Sequence, residues 1–200
     1  MTVTLKRLGK KPFFAVLDED GEPMGLMDFD SKSKLSLRDG GEIERETLLS
    51  EIEESERRIA RSHSMFLLSR RDYSSGELVT KLTELPVSRE AAEDAVERLR
   101  ELGYINDADF ARRVASHYFK SGYGPMKLKS ELYRRGFDGE TSQDTLCGAQ
   151  EENDFVASAR ELAEKKYGEL SELTYEQKAK VSAFLARRGF TYEQIRGALE

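Results

Sequence analysis

Arg134-Arg135-Gly136-Phe137 closes an amphipathic stretch near the middle of the chain, and Arg187-Arg188-Gly189-Phe190 closes another 53 residues later. The agreement extends beyond four letters. Leu132 and Leu185 stand at the same offset, as do Leu128 and Val181 one helical turn upstream. A residue suited to capping a helix follows each copy, Asp138 in one and Thr191 in the other. A weaker copy, Thr83-Glu84-Leu85-Pro86-Val87, lies upstream and is followed by Ser88. Recurrence at periods of roughly 20–50 residues marks arrays of supersecondary units. The chain therefore reads as a modular helical array rather than an enzyme built around one pocket.

Each unit reads as three helices. In the first, the helix ending Met65-Phe66-Leu67-Leu68-Ser69-Arg70-Arg71 stops before Asp72-Tyr73. Ser74 and Glu77 have capping-box spacing. The helix they open runs through Leu78 and Leu82 to Pro86, which cannot continue it. Ser88 caps a third helix with the stripe Ala92, Ala95, Val96, Leu99 and Leu102, and Gly103 ends it. In the second unit Asn106 or Asp107 caps a helix holding Phe110, Val114, Tyr118 and Phe119. Gly122-Tyr123-Gly124 interrupts it, and Pro125 takes the first position of the next helix. The last helix of this unit, Gly139 to Glu152, is poor in large apolar residues beyond Leu146 and is expected to be the least stable piece. In the third unit Asp154 leads one helix, and Thr174 with Gln177 and Thr191 with Gln194 make two further capping boxes.

Residues 1–46 follow a different period. Phe13 to Leu17 reads as a strand, Asp18-Glu19-Asp20-Gly21 as a hairpin turn, and Gly25 to Phe29 as the returning strand. Leu35 and Leu37 alternate with polar neighbours, which predicts a further strand closed by Asp39-Gly40-Gly41. From Thr47 the period becomes helical: Leu48, Leu49, Ile52, Ile59 and Phe66 share one broad face, in one long helix or two joined near Ser55. The expected fold is mainly α, with tandem three-helix repeats in an elongated array behind a small antiparallel β segment. Its segments are 1–46, 47–104 (linker helix and repeat 1), 105–152 (repeat 2) and 153–200 (repeat 3).

Charge narrows the function. Charged residues make up 35% of the chain and the net charge is −6, which argues against nonspecific coating of nucleic acid. Residues 57–150 nevertheless carry +2, against −6 for residues 1–56 and −2 for residues 151–200. Cys147 is the only cysteine, so neither an intrachain disulfide nor a cysteine zinc site can form. Beside Leu146 it reads as a small buried thiol. His63 and His117 lie on separate helices, and no nucleophile triad, phosphate loop or metal motif is present. No run approaches the roughly 18 apolar residues of a membrane span, so a cytoplasmic, soluble, monomeric protein without cofactor is expected.

Four motifs occur in order. They are Leu67-Leu68-Ser69-Arg70-Arg71-Asp72-Tyr73-Ser74 with Glu77-Leu78; Leu102-Gly103-Tyr104-Ile105-Asn106-Asp107 with Phe110-Ala111; Gly122-Tyr123-Gly124-Pro125 with Glu131-Leu132; and Ala159-Arg160-Glu161-Leu162 with Lys165-Lys166-Tyr167. Together they resemble the RecX family of regulatory proteins over about residues 57–200. The N-terminal strands resemble the β segment of longer members. Leu85-Pro86-Val87 departs from the family's basic-Gly-hydrophobe ending. The resemblance implies a non-enzymatic modulator, usually an inhibitor, of the RecA recombinase. Such proteins bind along the RecA filament on single-stranded DNA, and they belong to recombinational repair and the SOS response.

The candidate partner- or DNA-binding residues are Arg70, Arg71, Arg112, Arg113, Tyr123, Lys127, Lys129, Arg134 and Arg135. For Arg70, Arg134 and Arg187 a dipole-complementing role at helix ends competes with partner contact. Lys127 and Lys129 sit near a helix start, where the dipole does not explain them. Tyr104 and Tyr123 suit either packing or base stacking. Two other readings are a helix-turn-helix DNA-binding protein and a helical interaction scaffold. Acidic third helices (Glu90, Glu93, Asp94, Glu97) count against the first of these.

Overall fold

The computed structural model describes residues 1–200, which form two compact units, Met1–Ile105 and Asn106–Glu200. In the first unit, strands β1 (Thr2–Arg7), β2 (Phe13–Leu17), β3 (Pro23–Asp28) and β4 (Gly41–Glu42) form an antiparallel sheet in the order β3-β2-β1-β4. The Asp18–Gly21 turn joins β2 to β3 as expected, with Asp18 N–H donating to the Glu22 carbonyl. The period-2 reading of Leu35 and Leu37 does not hold. Asp28 accepts the Ser31 N–H and starts a short helix, α1 (Phe29–Lys34), and the chain leaves it through Ser36 at φ 50°. Leu37 follows that turn and is buried without belonging to a strand.

Helix α2 (Arg45–Leu68) is continuous across Ser55. Its buried positions move from Leu48, Glu51, Ile52 and Ser55 to Glu56, Ile59, Ala60 and Ser64. The first set helps cover the sheet, where Leu48 and Ile52 join Val3, Val16, Met27 and Leu37. The second packs on α3 (Ser75–Leu82) and α4 (Arg89–Glu101), where Ile59 and Ala60 meet Leu78, Leu82, Ala95 and Leu99. This rotation of the buried stripe leaves Leu49 and Phe66 exposed, against the single broad face read from the sequence.

The Glu56 carboxylate is buried and holds two elements at once. One oxygen accepts the Leu26 N–H of β3 at 3.0 Å, and the other accepts the Ser88 N–H at the start of α4 at 2.9 Å. Nearby, Ser55 Oγ accepts the Asp28 N–H, and Arg58 donates to Asp28.

The second unit holds α5 (Asp107–Lys120), α6 (Pro125–Arg134) and α7 (Gly139–Glu152), then α8 (Phe155–Tyr167), α9 (Tyr175–Arg188) and α10 (Tyr192–Leu199), with a 3-10 turn at Leu170–Glu172. The caps follow the sequence. Asn106, Asp138 and Asp154 accept from the first turns of α5, α7 and α8, and Thr174 and Thr191 complete capping boxes. Each such cap is worth about 1 kcal/mol. The Arg-Arg-Gly-Phe echo is a helix stop. In both copies the Phe N–H (Phe137, Phe190) returns to the leucine five residues back (Leu132, Leu185), while Gly136 and Gly189 take positive φ. Both phenylalanines are buried.

Helix α7 buries only Thr145 and Ala149, in line with its weak apolar pattern. Cys147 is exposed rather than buried. Two residues beyond Thr145, it faces roughly away from the inner side of the helix.

Replacing Glu56 by Ala leaves the Leu26 and Ser88 amides without their acceptor. At about 1–3 kcal/mol for each buried unsatisfied group, the first unit should lose several kcal/mol. Chemical denaturation should show this, with hydrogen exchange accelerating first at Leu26 and Ser88.

Candidate partner-binding surface

Helix α6 starts in an unusual way. Its N-cap, Gly124, has no side chain with which to cap, and Pro125 fills the first position. The acceptors come instead from the end of α9. Gly124 N–H donates to the Arg188 carbonyl at 2.9 Å, and Met126 N–H donates to the Gly189 carbonyl at 3.0 Å. The unpaired donors of one helix start thus meet the unpaired carbonyls of another helix end, with their dipoles in attractive sense.

The approach is close enough to require glycine on both sides. A Cβ on Gly124 would lie 2.5 Å from the Gly189 oxygen, and one on Gly189 would lie 2.5 Å from the Lys127 nitrogen. Around this seam Arg188 donates to the Ser121 carbonyl at 3.2 Å, and its guanidinium lies 5.0 Å from the centre of the Tyr123 ring. Tyr123 packs on Tyr118 at 5.3 Å, and Phe119 meets Phe155 edge-on at 5.0 Å.

The cationic candidates divide by what holds them. Arg134 and Arg135 converge on Glu131, with N–O distances of 2.6–2.8 Å. Glu131 is only 7% exposed. Burial alone would raise its pKa, but hydrogen bonds from Arg134, Arg135 and Tyr118 outweigh that and lower it to about 2. Burial raises the Tyr118 pKa, and its bond to Glu131 adds to the effect.

Arg112 and Arg113 both pair with Asp109 one turn back on α5. In the first unit Arg71 forks onto Glu77 and lies 3.6 Å from the Tyr73 ring centre, while Arg70 lies 4.5 Å from that of Phe66. Lys127 and Lys129 are exposed and make no ion pair. The fold thus brings Tyr123, Lys127, Lys129, Arg134 and Arg135 onto α6 and the residues that flank it, sets Arg112 and Arg113 on α5, and places Arg70 and Arg71 in the other unit.

Sequence reasoning did not find Glu131 as the anchor of the two arginines, although its place three and four residues before them allows both pairs. It also missed Arg188, whose role depends on a contact between repeats, and the exposed Tyr133 and Met126.

Three consecutive segments match family models, described as the first, second and third three-helix domains of RecX, at residues 60–99, 106–146 and 152–199. Regulatory protein RecX of Xanthomonas oryzae pv. oryzae (strain MAFF 311018) is 37% identical over 132 residues, covering 66% of this chain and 81% of that one. The chain belongs to the RecX family. Regulatory protein RecX of Stenotrophomonas maltophilia (strain R551-3) is likewise 37% identical over 132 residues, covering 66% of this RecX-family chain and 80% of its relative.

Two crystal structures share the fold. One, of a regulatory protein RecX, has a TM-score of 0.60 at 19% identity and covers 98% of this chain and 97% of its own. The other, of RecX from Lactobacillus salivarius, has a TM-score of 0.61 at 23% identity, covering 72% and 94%. The helical repeats and the small N-terminal sheet are thus features of a RecX-family member, and none of its helices is long and apolar enough to cross a membrane.

Gly124→Ala should cost about 1–3 kcal/mol through overpacking and speed exchange of the Gly124 and Met126 amides, read by denaturation and hydrogen exchange. The Glu131 pairing sets a pH window. With a folded pKa near 2 below an ordinary 4.5, its stabilisation is fully present above about pH 4.5 and fades as pH falls toward 2. Urea midpoints across that window should fall less steeply for Glu131→Gln than for the parent.

Proposed function

We propose that this chain binds the RecA filament on single-stranded DNA and modulates its ATPase and strand exchange, in the inhibitory direction, as a regulator in recombinational repair that does no chemistry of its own. The observation that carries the reading is the state of Lys127 and Lys129. They are exposed and unpaired on a helix fixed by backbone bonds to the next repeat. Elsewhere among the candidates, cations are matched to carboxylates or stacked on rings. Two unmatched cations on a rigid helix suit an anionic partner surface at little cost in desolvation. Family membership supports RecA as the partner, and stacked repeats suit a long, repetitive one.

The test is a titration of the purified chain into RecA, single-stranded DNA and ATP, with binding to duplex DNA measured in parallel. ATP hydrolysis should fall at concentrations well below those needed for duplex binding. A Lys127→Glu/Lys129→Glu double variant should need about tenfold more protein for the same inhibition, the equivalent of roughly 1.4 kcal/mol, with an unchanged circular dichroism spectrum. Unaltered hydrolysis together with tight duplex binding would overturn this reading and favour a helix-turn-helix DNA-binding protein.

A further inference from the structure

The outer face of α6, which carries Lys127 and Lys129, has an organisation beyond those two cations. Its buried side is set by Pro125, Leu128, Glu131 and Leu132. At 100° per residue, the opposite arc runs Lys129, Tyr133, Met126, Ser130, Arg134, Lys127. An apolar ridge of Met126 and Tyr133 therefore lies along the middle, with one cation on one flank and two on the other. Met126 is 52% exposed and Tyr133 85% exposed. No acid stands on this arc, since the one carboxylate of α6, Glu131, is turned inward and matched by Arg134 and Arg135. In a chain of net charge −6 this is an unusual surface. The two other tyrosines of comparable exposure have acidic neighbours: Tyr175 is followed by Glu176 and Tyr192 by Glu193.

We infer that the outer face of α6 is a platform for single-stranded nucleic acid, on which a base stacks against Tyr133, with Met126 about two turns away on the same ridge, while phosphates lie against Lys127 and Lys129 on its two flanks. An aromatic ring flanked by cations is what an unpaired strand requires, because each base offers a π-face and each link carries a charge. Duplex DNA has its base faces covered, so it could use only the flanking charges. An acidic peptide would likewise use the charges and leave the ring idle. Two lysines and one partly neutralised arginine make a weak platform, suited to a strand already held nearby. In that respect the inference rests on the proposed RecA–DNA partner, although binding to an oligonucleotide alone tests it separately.

The experiment is fluorescence anisotropy of a labelled oligothymidine with the full chain, without RecA, from low to moderate salt. Tyr133→Ala should weaken binding about tenfold, and Tyr133→Phe should keep it. Tyr175→Ala should leave it unchanged. Replacing Lys127 and Lys129 singly by Gln should each lower the slope of log affinity against log salt by about 0.7. The inference is overturned if Tyr133→Ala binds like the parent, or if the Ala and Phe variants lose affinity equally. It is also overturned if duplex or polyglutamate competes as well as the single strand, or if no binding occurs up to concentrations on the order of 1 mM. The two readings fail separately. Oligonucleotide binding with no effect on RecA hydrolysis removes the RecA reading alone. Inhibition of RecA that is indifferent to Tyr133, with no oligonucleotide binding, removes this one alone.

Discussion

The two hydrogen bonds that run from Gly124 and Met126 to the carbonyls of Arg188 and Gly189 fasten the start of α6 to the end of α9. Helix ends carry orphan donors and acceptors that must be satisfied somewhere. Here two ends satisfy each other, so the second and third repeats meet through backbone and not through side chains alone. Backbone contact has little tolerance, and a Cβ on either glycine would collide with main-chain atoms. The position and direction of α6, and therefore of its lysines, follow from this seam.

The same economy governs the buried charges. The repeats are slender and their apolar clusters small, so carboxylates complete several interiors. Glu131 gathers Arg134, Arg135 and Tyr118, while Glu56 gathers two backbone amides. A buried charge is tolerated when its oxygens are hydrogen-bonded, and each oxygen of both carboxylates accepts at least one donor. Arginines that look like partner contacts in the sequence are, in the case of Arg134 and Arg135, largely occupied within their own repeat. The lysines on α6, which make no ion pair, are left to the surface.

Much of the fold was legible in the chain itself. Helix stops and caps are local chemistry, so Asp138, Asp154, Thr174 and Thr191 could be named from their neighbours, and Asn106 as one of two choices with Asp107. The glycine-phenylalanine stops are equally local. The misreadings occurred where a distant contact decided the outcome. The strand expected at Leu35 and Leu37 gave way to α1, because Asp28 caps Ser31 and Ser31 donates to Glu51 on α2. Phe66 fell outside the core because α2 changes partner along its length. Cys147 was placed inside on the strength of Leu146, which does pack against the core, whereas the fully buried positions of α7 are Thr145 and Ala149. Among the candidate site residues, sequence spacing identified the cations but not their state of pairing, which depends on which way Glu131 turns.

The exchange of helix ends also gives the array a direction. Gly124-Pro125 can be received only by a helix that ends in a left-handed glycine and lies beside it, which α9 provides from the following repeat. The start of α9 cannot return the arrangement, because Thr174 already satisfies it through its own capping box. The two copies of Arg-Arg-Gly-Phe are therefore alike in sequence and unlike in duty. One holds Glu131 within its repeat, and the other caps a neighbour. Repeats that share this motif are thus non-interchangeable parts, and their order is written into the backbone.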